Sequence, residues 1–201
     1  MTETKRTVNG ILGALAFGLA LLFTGPLTAG EESATTSDPL VVIRTSEGDI
    51  TLRLFPDKAP VTVENFLRYV DAGFYDGTIF HRVIQDFMIQ GGGFLPDMTE
   101  KANGDPIVNE SKNRLHNNRG TIAMARTNDP DSATSQFFIN QRNNLRLDWA
   151  PGRDGYTVFG EVVTGMNVVD FIATAPTGKV GGFGDVPLEP IVITEIVRQP
   201  L

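Results

Sequence analysis

The sequence predicts a mainly β fold, an all-β barrel plugged by helices. Three observations support this prediction: many apolar runs are short, only two segments have helical periodicity, and glycine and proline are frequent in the turns between them. The chain has 201 residues, of which 41% are hydrophobic and 20% are charged. This length and balance are typical of one globular domain with its own core plus an extra segment.

The first 30 residues differ in character from the rest of the chain. Lys5 and Arg6 precede the uncharged apolar stretch 11–23, which leads into the small residues of TGPLTAG. A positive start, an apolar run of this length and a small-residue exit predict a cleaved signal peptide over residues 1–30. An uncleaved membrane anchor stays open, because extending the run to Ala29 reaches the about 20 residues that a membrane span needs.

The folded domain is expected to follow a short linker. Residues 31–39 are polar and small, which predicts a flexible linker, and the domain is assigned to residues 40–201. Its first two strands are predicted to form a hairpin around a turn at residues 46–48. Apolar residues alternate from Ile50 to Leu54, so the second strand should bury one face.

A helix is predicted over residues 61–72, where apolar residues recur at helical spacing. Pro60 suits its first turn, and Gly73 suits its C-terminal cap. The remaining predicted elements are β-like content over 79–90, short strands over 121–125, 136–140 and 157–163, a short helix over 166–173 and a closing strand over 191–197.

Composition excludes several functional classes. The chain has no cysteine, which removes disulfides, thiol nucleophiles and cysteine metal sites. His81 and His116 are far apart and lack ligand spacing, so no zinc site is expected. A net charge of -7 with scattered basic residues argues against a nucleic-acid partner. The G-x-S-x-G, H-E-x-x-H and P-loop motifs are absent from the sequence; composition leaves a serine triad of Ser135 and His81 open, but their local sequences do not support it. The glycines at 91–93 predict a turn or a strand end with close backbone approach.

Three dense motifs carry the strongest signal. They are FHRVIQDFMIQGG at 80–92, IAMAR at 122–126 with SQFFI at 135–139, and GYTVFG at 155–160. In this order and spacing they resemble the cyclophilin family of peptidyl-prolyl cis/trans isomerases, in particular its bacterial members, from about Val42 to Val197. The resemblance implies a closed eight-stranded antiparallel barrel capped by two α-helices. It also implies an active site on the outer surface of the barrel that uses no cofactor and no metal.

The resemblance assigns the catalytic groups to Arg82 and Gln90. Rotation about an X-Pro bond breaks no bond, but as the amide twists the prolyl nitrogen regains a lone pair that a directed donor can stabilise. Arg82 matches the family's catalytic arginine, and Gln90 matches the glutamine that hydrogen-bonds and orients it. Without the flanking motif, both would be interpreted as ordinary exposed residues.

The resemblance also supplies a substrate-binding set. An apolar pocket for the proline ring is implied for Phe87, Met88, Phe138 and Leu147, which would otherwise be assigned to the core. A rim whose backbone holds the peptide is implied for Ala125, Arg126 and Gln136. Arg126 stands where eukaryotic members usually have asparagine, so its backbone rather than its side chain is expected to carry over.

Two positions depart from the eukaryotic pattern. Tyr156 replaces a histidine and can still wall the pocket. Arg146 replaces a tryptophan that contacts cyclosporin, although Trp149 lies three residues on and the alignment of this loop stays open. His81 is expected to be a structural hydrogen-bonding residue rather than an acid or base, and His116 a surface residue.

These observations predict an isomerase that accelerates X-Pro rotation during the folding of exported proteins. Its partners would be proline-containing peptides and unfolded or folding proteins, with no nucleic acid, and with a membrane only if the N-terminal segment is uncleaved. We expect a monomer in the periplasm or an equivalent exported location, with an inner-membrane-anchored form as the alternative. A non-catalytic module or holdase that binds proline segments, and a membrane-tethered scaffold subunit, are the competing hypotheses.

Overall fold

A computed structural model describes residues 38–200, so the predicted signal peptide and most of the predicted linker lie outside the described residues. Within this range there are two α-helices, α1 (Pro60–Asp71) and α2 (Met166–Ala173). The strands are β1 (Leu40–Thr45), β2 (Gly48–Leu54), β3 (Thr78–Ile79), β4 (Arg82–Ile84), β5 (Met88–Gly91), β6 (Thr121–Met124), β7 (Phe137–Asn140), β8 (Val158–Thr164), β9 (Thr177–Val180), β10 (Phe183–Pro187) and β11 (Val192–Arg198).

Nine of these strands form one antiparallel sheet in the order β3-β11-β1-β2-β8-β6-β7-β5-β4, and β9 and β10 form a separate hairpin. The mainly β class with two helices is confirmed, but the prediction of a closed eight-stranded barrel is wrong. The sheet is strongly curled but open. Its two edge strands, β3 and β4, both lie in residues 78–84, and they do not pair with each other because the extended strand is interrupted between them. At the break, the Phe80 N–H donates to the Ile191 carbonyl at 3.0 Å, and no ladder bonds join β3 to β4.

The hairpin predicted at the start of the domain is confirmed. The β1–β2 ladder runs from Leu40 opposite Arg53 to Thr45 opposite Gly48. Every second residue of β2 from Ile50 to Leu54 is fully buried, as the alternation predicted.

Helix α1 begins one residue earlier than predicted, with Pro60 in its first turn. Ala59 at the N-cap offers no side-chain acceptor, and the distant Glu110 carboxylate takes that role. It accepts hydrogen bonds from the backbone N–H groups of Val61 at 3.2 Å and Thr62 at 2.8 Å. Gly73 follows the helix with φ +61°, the left-handed conformation that suits a C-terminal cap.

Period-two alternation separates two hydrophobic clusters across the sheet. The main core contains Ile89, Ile122, Phe137 and Phe159, together with the apolar face of α1. The neighbouring residues Met88, Ala123, Phe138 and Val158, one from each of β5, β6, β7 and β8, form a second cluster. Since successive side chains of a strand point to opposite faces, the second cluster lies on the face of the sheet that is turned away from the core.

Helix α2 is found at the predicted residues, whereas the β9–β10 hairpin was not predicted. Its sequence is rich in glycine and lacks the apolar alternation that marks a strand. The stretch predicted as β-like over 79–90 contains the end of β3, all of β4 and most of β5. No helix among residues 38–200 combines the length and the apolar character needed to cross a membrane.

Candidate active site

A cleft of about 130 Å³ lies over the second cluster. This volume suits one small ring rather than a drug-sized ligand. Nine of the ten site residues predicted from the sequence line it: Arg82, Phe87, Met88, Gln90, Ala125, Arg126, Phe138, Leu147 and Tyr156. The tenth, Gln136, lines an adjoining depression that shares Gln90, Ala125 and Arg126 with the cleft.

The floor of the cleft is apolar. Met88 and Phe138 are almost completely buried, with 2% and 4% of their surfaces exposed. Phe87, Leu147 and Tyr156 are half-buried and pack against them. The rings of Phe138 and Tyr156 meet edge to face with centroids 5.6 Å apart, a favourable arrangement for aromatic pairs. The cleft therefore offers rigid apolar walls to a compact ring.

Strand pairing places the charged group beside this floor. Arg82 on β4 lies opposite Gln90 on β5, and Gln90 lies opposite Phe138 on β7. Paired residues on adjacent strands share a face of the sheet, so the three side chains form a row across the cleft. The Arg82 side chain is 41% exposed, which leaves its guanidinium accessible to a ligand.

The hydrogen bonds around Gln90 differ from those implied by the resemblance. The Gln90 amide donates to Gln136 Oε1 at 3.1 Å. Among the described residues, no hydrogen bond joins the guanidinium of Arg82 to Gln90 Oε1, the side-chain atom of Gln90 that could accept from it. A Cβ at residue 93 would come within 2.5 Å of Gln136 Cγ, so Gly93 leaves the space that this glutamine occupies. The glycine run therefore allows close approach, as the sequence predicted.

Arg126 and Tyr156 form one side of the cleft together. The Arg126 guanidinium donates to the backbone carbonyls of Thr127 at 2.8 Å, Asp154 at 2.9 Å and Gly155 at 3.3 Å. Its Cζ lies 4.5 Å from the centroid of the Tyr156 ring. The Arg126 side chain thus forms part of the wall, and the peptide-holding role of its backbone stays a prediction.

The structure also shows where Arg146 and Trp149 lie relative to the cleft. Arg146 lies in the short 3₁₀ turn Leu145–Leu147, with its Cζ 4.9 Å from the Phe87 ring centroid. It lines a groove that shares Phe87 with the cleft, whereas Trp149 lines neither. Arg146 rather than Trp149 therefore lies next to the cleft.

His81 is buried directly behind the cleft and its ring packs against Phe94, with centroids 4.6 Å apart. Burial lowers the pKa of His81 to about 4, and the nearby positive charge of Arg82 adds to this effect. The imidazole is thus neutral near pH 7, and its single N–H is too weak an acid to serve in proton transfer. His116 is exposed, as expected, with Nδ1 2.7 Å from Asp148 Oδ2.

Sequence analysis missed one residue near Arg82. Asp185, on β10, has Oδ2 3.7 Å from Arg82 Nε. It is far from the motifs in sequence and belongs to the hairpin that was not predicted. Among the described residues, no group of three or more His, Cys, Asp or Glu side chains could hold a metal ion.

The structure thus combines a curled antiparallel sheet with an arginine beside a small apolar pocket, and this combination is typical of one class of protein, the cyclophilin-type isomerases. The family model for cyclophilin type peptidyl-prolyl cis-trans isomerases matches residues 40–198. The chain therefore belongs to the cyclophilin-type peptidyl-prolyl cis-trans isomerase family, as the motifs indicated.

Individual relatives agree with this assignment. Peptidyl-prolyl cis-trans isomerase A of Dickeya dadantii is 53% identical over 183 residues, which cover 91% of this chain and 94% of that protein. Peptidyl-prolyl cis-trans isomerase B of Escherichia coli is 53% identical over 161 residues, which cover 78% and 98%. A Cryptosporidium parvum cyclophilin type isomerase, solved in the presence of the dipeptide Ala-Pro, matches with a TM-score of 0.70 and 30% identity, covering 81% of this chain and 99% of that one.

Proposed function

We propose that the cleft around Arg82 is where this cyclophilin-type isomerase rotates X-Pro bonds, and that its clients are proteins folding after export. The isomerase activity itself follows from membership of the family. The observation that carries the proposed site is the row of Arg82, Gln90 and Phe138 on three paired strands. This row puts a permanent donor next to a pocket of proline size.

The apolar floor and Arg82 have different roles in the proposed reaction. The apolar floor of Met88 and Phe138 holds the proline ring, while the peptide on either side of the ring stays free to turn. Arg82 donates to the prolyl nitrogen as conjugation fades, so the interaction strengthens only in the twisted state. Uncatalysed X-Pro rotation takes tens of seconds. Shortening it to milliseconds requires that the activation free energy fall by about 5–6 kcal/mol. One directed donor contributes about 3–4 kcal/mol of such a gain.

A binding module or holdase is the alternative function of the same cleft. Such a module would need the apolar pocket but would gain nothing from a donor aimed at the nitrogen. NMR exchange spectroscopy on an X-Pro peptide separates the two functions. We expect wild-type protein to accelerate exchange and Arg82→Ala to lose most of that acceleration while it still binds the peptide. Equal exchange rates for both proteins would remove Arg82 from the mechanism.

The export proposal is supported by sequence features outside the described residues. Lys5 and Arg6, the apolar run that follows them and the absence of cysteine all suit a protein that matures beyond the inner membrane. We expect a soluble mature chain that begins near Glu31. N-terminal sequencing of the cellular protein tests this, and full-length chain in the membrane fraction after a salt wash would contradict it.

A further inference from the structure

We propose that Asp185 is a positioning residue for Arg82, and that the β9–β10 hairpin is therefore part of the active site. The inference rests on the proposed role of Arg82. Asp185 Oδ2 lies 3.7 Å from Arg82 Nε, and no other carboxylate in residues 38–200 lies within 4.0 Å of this arginine. Because Nε is the guanidinium nitrogen nearest to the carboxylate, both terminal amino groups stay available to a ligand in the cleft.

The hydrogen bonds of Gln90 strengthen this assignment. Its Nε2 donates to Gln136, and among the described residues no hydrogen bond joins its Oε1, the atom that could accept from an arginine, to the guanidinium of Arg82. The side chain of Arg82 is long and half-exposed, and it would otherwise sample many rotamers. A negative charge beside Nε favours the rotamers that keep the guanidinium next to the carboxylate, where Arg82 lines the cleft.

The backbone of β10 is shaped to present this carboxylate. The register of the hairpin shifts between Phe183, opposite Val180, and Val186, opposite Gly178, so Gly184 and Asp185 together face one residue of β9. Such a bulge redirects a side chain, and bulges are frequent beside active sites. Asp185 has φ 59°, a left-handed conformation that aspartate and asparagine tolerate better than most residues.

Contacts on both sides of the bulge fix the hairpin against the residues behind Arg82. Val186 is buried, with 4% of its surface exposed. The Phe183 ring packs on Phe94 with centroids 5.1 Å apart, and Phe94 packs in turn on His81, the residue before Arg82. The carboxylate is thus attached to the same layer of side chains that supports the arginine.

The expected effect is on rate rather than on stability. Exposed ion pairs contribute little to folding, and both partners here are more than 40% exposed. We expect Asp185→Asn and Asp185→Gly, which both tolerate the left-handed backbone, to lower kcat/KM about two- to fivefold at low ionic strength. Peptide affinity and Tm should change little, and salt should reduce the effect.

A double-mutant cycle distinguishes positioning from a general effect on the fold. If Asp185 acts through the guanidinium, Asp185→Asn should change nothing further in an Arg82→Ala background, measured by NMR exchange at high enzyme concentration. The Nε–H resonance of Arg82 should also shift in Asp185→Asn. The matched control is Asp71→Asn, which breaks the exposed pair with Arg198 outside the cleft and should alter neither rate nor resonance.

Three results would overturn the proposal: an equal loss in the Arg82→Ala background, higher activity in Asp185→Asn, or an unmoved Arg82 resonance. Full activity in Arg82→Ala alone would instead defeat the proposed role of Arg82, and the positioning role with it. The two failures are therefore distinguishable.

Discussion

Residues 137 and 138 show how one step along a strand moves a side chain from the main core to the floor of the cleft. Phe137 is fully buried in the main core, whereas Phe138 belongs to the floor of the cleft. The two rings have the same size and nearly the same burial, so they form a matched pair for mutation.

We expect Phe138→Ala to empty the proline pocket and to lose activity per folded molecule. Its stability should fall by about 3–5 kcal/mol, since a buried ring is removed. Phe137→Ala should destabilise as much but keep its activity per folded molecule, with Phe137→Leu as a milder substitute if it does not fold. Denaturant unfolding measured beside the exchange assay checks both. Full activity in folded Phe138→Ala would place the pocket elsewhere.

The buried His81 predicts a pH dependence of stability. Its pKa is about 4 in the folded protein and near 6.5 when unfolded, so the unfolded state binds the proton more readily. The stability due to the neutral ring is complete above about pH 6.5 and is lost progressively as the pH falls towards 4, by about 3 kcal/mol in all. Carboxyl groups such as Asp71, whose pKa is lowered by its hydrogen bond from Arg198, contribute mainly below this window.

Urea unfolding between pH 4 and 8 measures this effect, and His81→Gln should flatten the acid side of the profile. Turnover should stay nearly constant from about pH 6 to 8, because His81 remains neutral there. An NMR titration of the imidazole that gives a pKa near 6.5 would contradict the account.

At the scale of elements, helix α1 depends on a cap supplied from far along the chain. Glu110 accepts two backbone N–H bonds from the first turn and lies 2.7 Å from Thr62 Oγ1. We expect Glu110→Ala to lower the free energy of unfolding by about 1 kcal/mol, and Glu110→Gln by less, since an amide oxygen still accepts. Glu64→Ala, an exposed carboxylate on the same helix, is the control. Equal stability of Glu110→Ala and wild type would show that the cap contributes nothing.

Elements with a strong local sequence pattern could be predicted. Elements that depend on pairing with residues distant in the sequence could not. The alternation in β2 and the helical spacing in α1 are local signals, and the structure bears them out. The β9–β10 hairpin has no such signal, because its glycine-rich strands are mostly exposed and are held by contacts with distant residues. The interruption between β3 and β4 at Phe80 and His81 also has no local sequence signal, since the Phe80 N–H donates to the distant carbonyl of Ile191.

At the scale of the whole molecule, the sequence predicted the β class but not how the sheet ends. A closed barrel needs every strand to have two ladder neighbours, and whether β3 and β4 pair depends on the path of one short segment. The cleft was easier to anticipate, because eight of its nine lining residues belong to the family motifs. Asp185 was not, because only the folded hairpin brings it to Arg82.

The charge distribution supports the same view of the molecule. The net charge is -7, yet Arg82, Arg126 and Arg146 lie in or beside the cleft. Arginines elsewhere, such as Arg119 and Arg198, are paired with carboxylates at 2.7 and 2.5 Å. Two guanidinium groups thus line the cleft of an acidic protein and a third lines the adjoining groove.

The central claim is that Arg82 acts by directed donation to the twisting prolyl nitrogen, and Arg82→Lys tests it most directly. Lysine keeps the positive charge but replaces the planar fork of donors with one mobile ammonium group. The measurement is the exchange rate of an X-Pro peptide, compared among wild type, Arg82→Lys and Arg82→Ala together with peptide affinity. We expect both variants to lose about 10²–10³ in rate while affinity falls much less, because the ground-state nitrogen is a poor acceptor. Turnover of Arg82→Lys close to that of wild type would contradict the donor mechanism.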